Sequence, residues 1–135
     1  MISKITVVGA GYVGLSLALL LSKKYDVLIL DNDVNKVKKL NNNISPIHDN
    51  EIEDFLKDKN TNITVTTDSS NAYNDVDYII IAVPTNYDES SNNFDTSIVM
   101  SVIKEILKFN KKQKIMIKST VPVGFTGEIN ALYNI

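Results

Sequence analysis

The 135-residue sequence contains no cysteine. That excludes disulfides, thiolate metal sites and a cysteine nucleophile within these residues. A chain without thiols also fits a reducing cytosol, so a cytoplasmic protein is expected. Arginine is absent as well: all 14 basic residues are lysines, and the formal net charge is -2. Such a balance gives no general attraction to nucleic acid or to an anionic membrane surface, and neither partner is expected. Histidine occurs once, as His48 in the acidic stretch "PIHDNEIED". A metal site needs several ligands converging in space, so none is expected here. Long apolar runs are missing too. Leu17 to Leu21 is uninterrupted, but a membrane-spanning helix needs roughly 20 such residues. Met1 to Lys4 supplies a single lysine, and glycines break the apolar run behind it, so the start does not read as a targeting signal. No repeat or low-complexity tract appears.

The remaining composition is that of a folded domain. Hydrophobic residues make up 44% and charged residues 22%, and this length is enough for one domain with a real core. Strands and helices alternate along it. The segments predicted as strands are Ile2–Val8, Asp26–Leu30, Ile63–Thr66, Asp77–Val83 and Lys114–Lys118. Helices are predicted at Val13–Lys23, Asp33–Asn41, a short stretch capped by Asn50 with Glu53 closing a capping box, Ser69–Asn74, a segment capped by Asp95, and Phe125–Tyr133. In the Asp95 segment, Ile98, Val102, Ile103 and Ile106 share one face. The run "KFNKKQK", Lys108 to Lys114, suits a helix C-terminus, where cations oppose the negative dipole end. Short apolar strands joined by helices imply a parallel sheet covered on both faces. The expected fold class is α/β, a doubly wound parallel sheet of the Rossmann type with strand order 3-2-1-4-5, its crevice lying between strands 1 and 4.

Gly9, Gly11 and Gly14 fall between the first strand and the first helix, in the spacing G-x-G-x-x-G. In that setting the first glycine permits a tight turn, the second lets a diphosphate approach the backbone, and the third lets helix and strand pack closely. The helix N-terminus offers free N–H groups and a partial positive charge to phosphate. The same spacing alone also fits an ordinary strand-to-helix turn. Asp31 adds to it. It ends the second strand, 17 residues after Gly14 and 22 after Gly9, where a carboxylate accepts hydrogen bonds from the adenosine ribose hydroxyls. An acid there repels a 2′-phosphate, and no arginine is present to receive one. The cofactor is therefore expected to be NAD rather than NADP. Two later segments, "AVPTNYDESSNNFD" and "IKSTVPVGFT", end strands on the same edge and place Thr85 and Thr120 beside prolines. By spacing alone these are prolines that end strands and threonines common near turns.

The stretches "GAGYVGLSLA", "NNNISPIHDNEIEDFL", "AVPTNYDESSNNFDTS" and "IKSTVPVGFT" resemble the N-terminal portion of UDP-glucose 6-dehydrogenases, within the wider UDP-glucose/GDP-mannose dehydrogenase family. The resemblance covers essentially the whole chain. It implies an enzyme that takes the C6 alcohol of UDP-glucose to the carboxylate of UDP-glucuronate by two NAD-dependent hydride transfers, the second through a cysteine thioester. It implies that Gly9, Gly11, Tyr12, Val13 and Gly14 form the diphosphate loop and that Asp31 holds the ribose with Lys36 nearby. Thr85 then contacts the cofactor, and Thr120 lies on the nicotinamide side and helps order a water at the reacting carbon. Read without the resemblance, Lys36 is a solvated helix lysine. The family's cysteine, its later lysine and asparagine, and its sugar-nucleotide domain have no counterpart here. Residues 1–135 are thus expected to be a truncated NAD-binding domain, inactive alone, of an enzyme that forms a homodimer at full length. Two other readings stay open: the same half-fold from another nucleotide-sugar or hydroxyacid dehydrogenase, and a non-catalytic NAD-sensing module.

Overall fold

A computed structural model describes residues 3–109 and 112–135. Among these residues seven strands and six helices follow in the order β1 (Lys4–Val8), α1 (Tyr12–Leu21), β2 (Asp26–Leu30), α2 (Val34–Asn41), α3 (Asn50–Lys57), β3 (Ile63–Thr66), α4 (Ser69–Tyr73), β4 (Tyr78–Ile81), β5 (Tyr87–Asp88), β6 (Asn93–Phe94), α5 (Ser97–Phe109), β7 (Lys114–Ile117) and α6 (Phe125–Tyr133). Five strands pair in the order β3-β2-β1-β4-β7, all parallel. This is the expected doubly wound order, with β7 as its fifth strand.

The strands are apolar on both faces, because each face is covered. Ile5, Val7, Val27, Ile29 and Ile80 point into one core with Leu15, Ala18 and Leu19 of α1, Leu40 of α2 and Ile52 of α3. Val8, Leu30, Ile79 and Ile81 point into the other, with Tyr73 of α4, Val99, Ile103 and Ile106 of α5, and Phe125 and Ile129 of α6. Successive strand residues alternate between two apolar layers, so the sequence reads as continuous hydrophobic runs rather than as alternation. One polar side chain in β1 is fully buried. The Thr6 hydroxyl donates to the carbonyl of Ala72 and ties α4 to the sheet.

Several boundaries differ from expectation. Ile2 and residues 110–111, which carry part of the first predicted strand and of the lysine-rich run, lie outside the described residues. The cap of α3 is Asp49, not Asn50: its Oδ1 accepts from the Ile52 N–H at 3.0 Å. That shift of one residue puts Ile52 at the third helical position, so no capping box forms with Glu53. Asp95 does serve the start of α5, accepting from the Ser97 N–H at 2.9 Å. However, the first backbone bond of that helix runs from Met100 to Thr96, which makes Thr96 the flanking residue. Hydrogen bonds from the Ser97 side chain and backbone hold the Asp95 carboxyl below the usual range. Of the four residues expected on one face, Val102 packs half-buried against the core and Ile98 stays outside it. The buried stripe of α5 is Val99, Ile103 and Ile106, and Ile98 is 44% exposed. A two-stranded hairpin, β5 paired antiparallel with β6, was not anticipated; Tyr87 and Phe94 close it edge to face at 5.2 Å.

Candidate functional site

The register of the sheet aligns the ends of its strands. Val8 is paired with Leu30 and with Ile81, Leu30 with Thr66, and Ile81 with Ile117. Hence Gly9, Asp31, Thr67, Ala82 and Lys118 are each the first residue past their strand and stand in a row along one edge. Backbone bonds continue past the ladder there: Gly9 N–H to Leu30 O at 2.8 Å, Ala82 N–H to Val8 O at 2.8 Å, and Asp31 N–H to Thr66 O at 3.2 Å.

The three glycines have separate physical roles in the structure. Gly9 adopts φ 104° and lies against the backbone of β4's exit, where a Cβ would come within 2.6 Å of the Ala82 carbonyl oxygen. Only glycine tolerates both conditions. Gly14 packs α1 onto the turn, and a Cβ there would strike the Gly9 carbonyl oxygen and approach Ala82 Cβ to 3.3 Å. Gly11 differs. A Cβ at this position meets nothing within 4 Å, and its backbone is extended, with φ -78°. Its missing side chain serves no internal contact, which leaves the approach to the loop open. Gly11 also flanks α1 without any side-chain cap. The first α1 bond joins Leu15 N–H to the Gly11 carbonyl at 2.9 Å, so the N–H groups of Tyr12, Val13 and Gly14 precede it and face outward as donors. Tyr12 and Val13 are themselves 60% and 51% exposed.

A Gly14→Ala variant tests the packing role. The added methyl meets backbone, which has no alternative rotamer, so overpacking should cost about 1–3 kcal/mol. The expected result is a melting midpoint lower by roughly 5–10 °C, measured by circular dichroism. An unchanged midpoint would contradict the tight strand–helix contact.

Asp31 is half-buried and already engaged with the glycine loop. Its Oδ2 accepts from the Ala10 N–H at 2.7 Å, and its Oδ1 accepts from the Asp33 N–H at 2.8 Å. Each oxygen retains a second lone pair, so the carboxylate can still accept from vicinal hydroxyls. It thus links the end of β2 to the phosphate-type loop, a structural duty that spacing alone did not reveal. Lys36 stands in the first turn of α2, just beyond, where its N–H donates to the capping Asp33 at 3.2 Å. Thr85 and Thr120 follow β4 and β7 on the same edge. Neither hydroxyl has a hydrogen-bond partner among the described residues. Between them lies a contact the sequence reading missed: the Ser119 hydroxyl donates to the Val83 carbonyl at 2.7 Å and fastens the two exits together.

Beside this edge opens a cavity of about 640 Å³, within the range of small-ligand sites. Gly9 and Asp31 line one part of it. Its apolar walls are Val8, Leu30, Val83, Ile98 and Val102, and Tyr73 and Glu105 also line it. Gly11, Tyr12, Val13, Gly14, Lys36, Thr85 and Thr120 lie outside its lining. The exposure of Ile98 is thereby explained: it faces the cavity, whereas Val102 lines the cavity and also packs against the core. No group of His, Asp or Glu suited to a metal occurs among the described residues.

An edge of this kind, with uncapped N–H donors, an open glycine and a strand-end carboxylate, fits the diphosphate and ribose of a dinucleotide. Residues 3–134 match the family described as "UDP-glucose/GDP-mannose dehydrogenase family, NAD binding domain". The chain belongs to this family. Within it, a UDP-glucose 6-dehydrogenase of Streptococcus pneumoniae is 46% identical over 131 residues, covering 97% of this chain and 33% of that protein. A UDP-glucose 6-dehydrogenase of Campylobacter jejuni is 44% identical over 133 residues, covering 97% and 34%. Among solved structures, a UDP-N-acetyl-mannosamine dehydrogenase from S. aureus superposes with a TM-score of 0.83 at 28% identity, covering 98% of this chain and 33% of the other. The chain therefore spans about a third of the length of the relatives it matches. It is an NAD-binding domain of this dehydrogenase family, with NAD as its cofactor. No helix among the described residues is long and apolar enough to cross a membrane.

Proposed function

We propose that residues 1–135 are the cofactor-binding part of an enzyme that oxidises UDP-glucose to UDP-glucuronate, with the sugar-nucleotide site supplied by further sequence. The observation that carries this reading is the joint one of an open Gly11 loop beside a strand-end Asp31 in a chain 46% identical to a UDP-glucose 6-dehydrogenase. Bound NAD supplies the hydride acceptor. The chain's own residues bind and orient it. The N–H groups of Tyr12, Val13 and Gly14 take the diphosphate, Asp31 takes the ribose hydroxyls with Lys36 beside it, and Thr85 and Thr120 line the path beyond the ends of β4 and β7. Thr120, exposed past β7, is placed to hydrogen-bond on the nicotinamide side and to orient a water. Full-length pairing into a homodimer belongs to the same reading.

A chimera tests it. Residues 1–135 replace the matching third of the Streptococcus pneumoniae enzyme, and NADH absorbance is followed with UDP-glucose. The expected result is sustained NADH formation. A chimera that folds and binds NAD yet gives no turnover would overturn the assignment to this reaction.

A further inference from the structure

Tyr73 is an anomaly. It ends α4, is 0% exposed, and its hydroxyl is the buried side-chain polar atom left without a hydrogen-bond partner among the described residues. Native structures seldom leave such a group orphaned without a reason. Its placement is firmly held: Gln113 Nε2 donates to the Tyr73 carbonyl at 2.8 Å, and the ring packs against Phe109 at 5.8 Å. Glu105 lies close by on α5. It is half-buried and likewise has no hydrogen-bond or ion-pair partner among the described residues. Both residues line the cavity that begins at Gly9 and Asp31. Helical side chains lean towards the N-terminus of their helix, so Glu105 leans towards Ser101 and Ile98, along the cavity wall. Burial, and secondarily the Glu105 charge, push the Tyr73 phenol well above its ordinary range, which keeps it a neutral donor.

We propose that the Glu105 carboxylate accepts a hydrogen bond from the exocyclic amino group of the bound dinucleotide's purine, positioned by a hydrogen bond from the Tyr73 hydroxyl. This assignment rests on the reading of the edge as an NAD site. With Asp31 holding the ribose, the base enters the slot between Leu30 and Val83 on one side and Ile98 and Val102 on the other. Its far edge then meets Glu105. A carboxylate only accepts. It matches the amino group of adenine and opposes the carbonyl of a 6-oxo purine. Glu105 is thus a specificity-determining residue and Tyr73 a positioning residue, whose hydroxyl finds its partner when the slot is filled.

The test compares NAD with nicotinamide hypoxanthine dinucleotide, in which a carbonyl replaces the 6-amino group and N1 carries a proton. Titration calorimetry on the wild-type chain should give about ten- to a hundredfold tighter binding of NAD. Glu105→Gln should bring the ratio near one, because its amide also donates. Tyr73→Phe should fold with an unchanged or higher melting midpoint and narrow the ratio severalfold, a readout that a merely structural role would not move. Equal wild-type affinities, or a ratio that survives Glu105→Gln, would overturn the assignment while leaving the NAD site standing. A ratio unchanged in Tyr73→Phe would remove the positioning role. Failure of the wild-type chain to bind NAD at all would overturn both the assignment and the site reading beneath it.

Discussion

Gly11→Val leaves the domain folded and removes its affinity for NAD. The two halves of this expectation come from different observations. An added Cβ at Gly11 meets no atom within 4 Å, and the backbone there is already extended at φ -78° and ψ -174°, a conformation that β-branched residues favour. Valine is a poorer residue than glycine to flank a helix, and the stability loss should stay near 1 kcal/mol or less. Binding suffers far more. On the proposed reading, phosphate oxygens reach the N–H groups of Tyr12, Val13 and Gly14 through the empty space above Gly11, and two valine methyls would fill it. Loss of those contacts should weaken NAD at least a hundredfold, about 3 kcal/mol. Thermal melts with and without NAD measure both halves at once. A Gly11→Val protein still stabilised by NAD as strongly as the wild type would mean that the phosphates lie elsewhere. The contrast with Gly14→Ala, where the added methyl strikes backbone, makes the pair diagnostic: the proposal has Gly11 serve the ligand, and Gly14 serves the fold.

The second large effect is a loss of activity. Residues 1–135 alone should form no NADH from UDP-glucose at saturating NAD. A dinucleotide-binding domain orients the nicotinamide and supplies few groups that act on the substrate. Thr120 can hydrogen-bond to a water, but it supplies no thiol for a covalent step, and the sequence holds no cysteine. It also holds no arginine to grip a uridine diphosphate bidentately. Without a second wall to fix the sugar, the advantage of positioning, worth up to roughly 7–11 kcal/mol of barrier, is forfeited. Without a covalent nucleophile the route to the acid closes altogether. The assay is NADH absorbance beside the full-length relative. Sustained turnover by the purified 135-residue chain would overturn the division of labour and direct attention to Lys118, Ser119 and Thr120.

What could be read from the sequence follows the range of the interactions involved. The glycine spacing and Asp31 lie within one strand–helix–strand unit, so local order placed them correctly. The strands were legible because a doubly covered sheet favours apolar residues on both faces, leaving short runs such as "DVLIL" and "YIII". The cap of α3 slipped by one residue because Asp49 and Asn50 are both good caps, and only geometry distinguishes them. The β5–β6 hairpin has two residues in each strand, too few to show a period. Ile98 carries the helical spacing of a core residue, yet it faces a cavity that exists only once α4 and α5 lie side by side. Tyr73 and Glu105 were invisible for the same reason, being 32 positions apart with no local pattern linking them. Asp31's bond to Ala10 likewise appears only when the end of β2 is brought against the loop.

The central claim is that the C-terminal edge of the sheet binds NAD with Asp31 as its ribose acceptor. Titration calorimetry with NAD and NADP, on the wild-type chain and on Asp31→Ala, tests it most directly. The account predicts that the wild type binds NAD at least tenfold more tightly than NADP, because the Asp31 carboxylate stands where the 2′-phosphate must lie and no arginine is present to compensate. It predicts that Asp31→Ala weakens NAD by about 1–3 kcal/mol, the scale of hydrogen bonds to a charged acceptor, and narrows the gap between the two cofactors. Equal affinity for NAD and NADP in the wild type, or a gap that persists unchanged in Asp31→Ala, would contradict it.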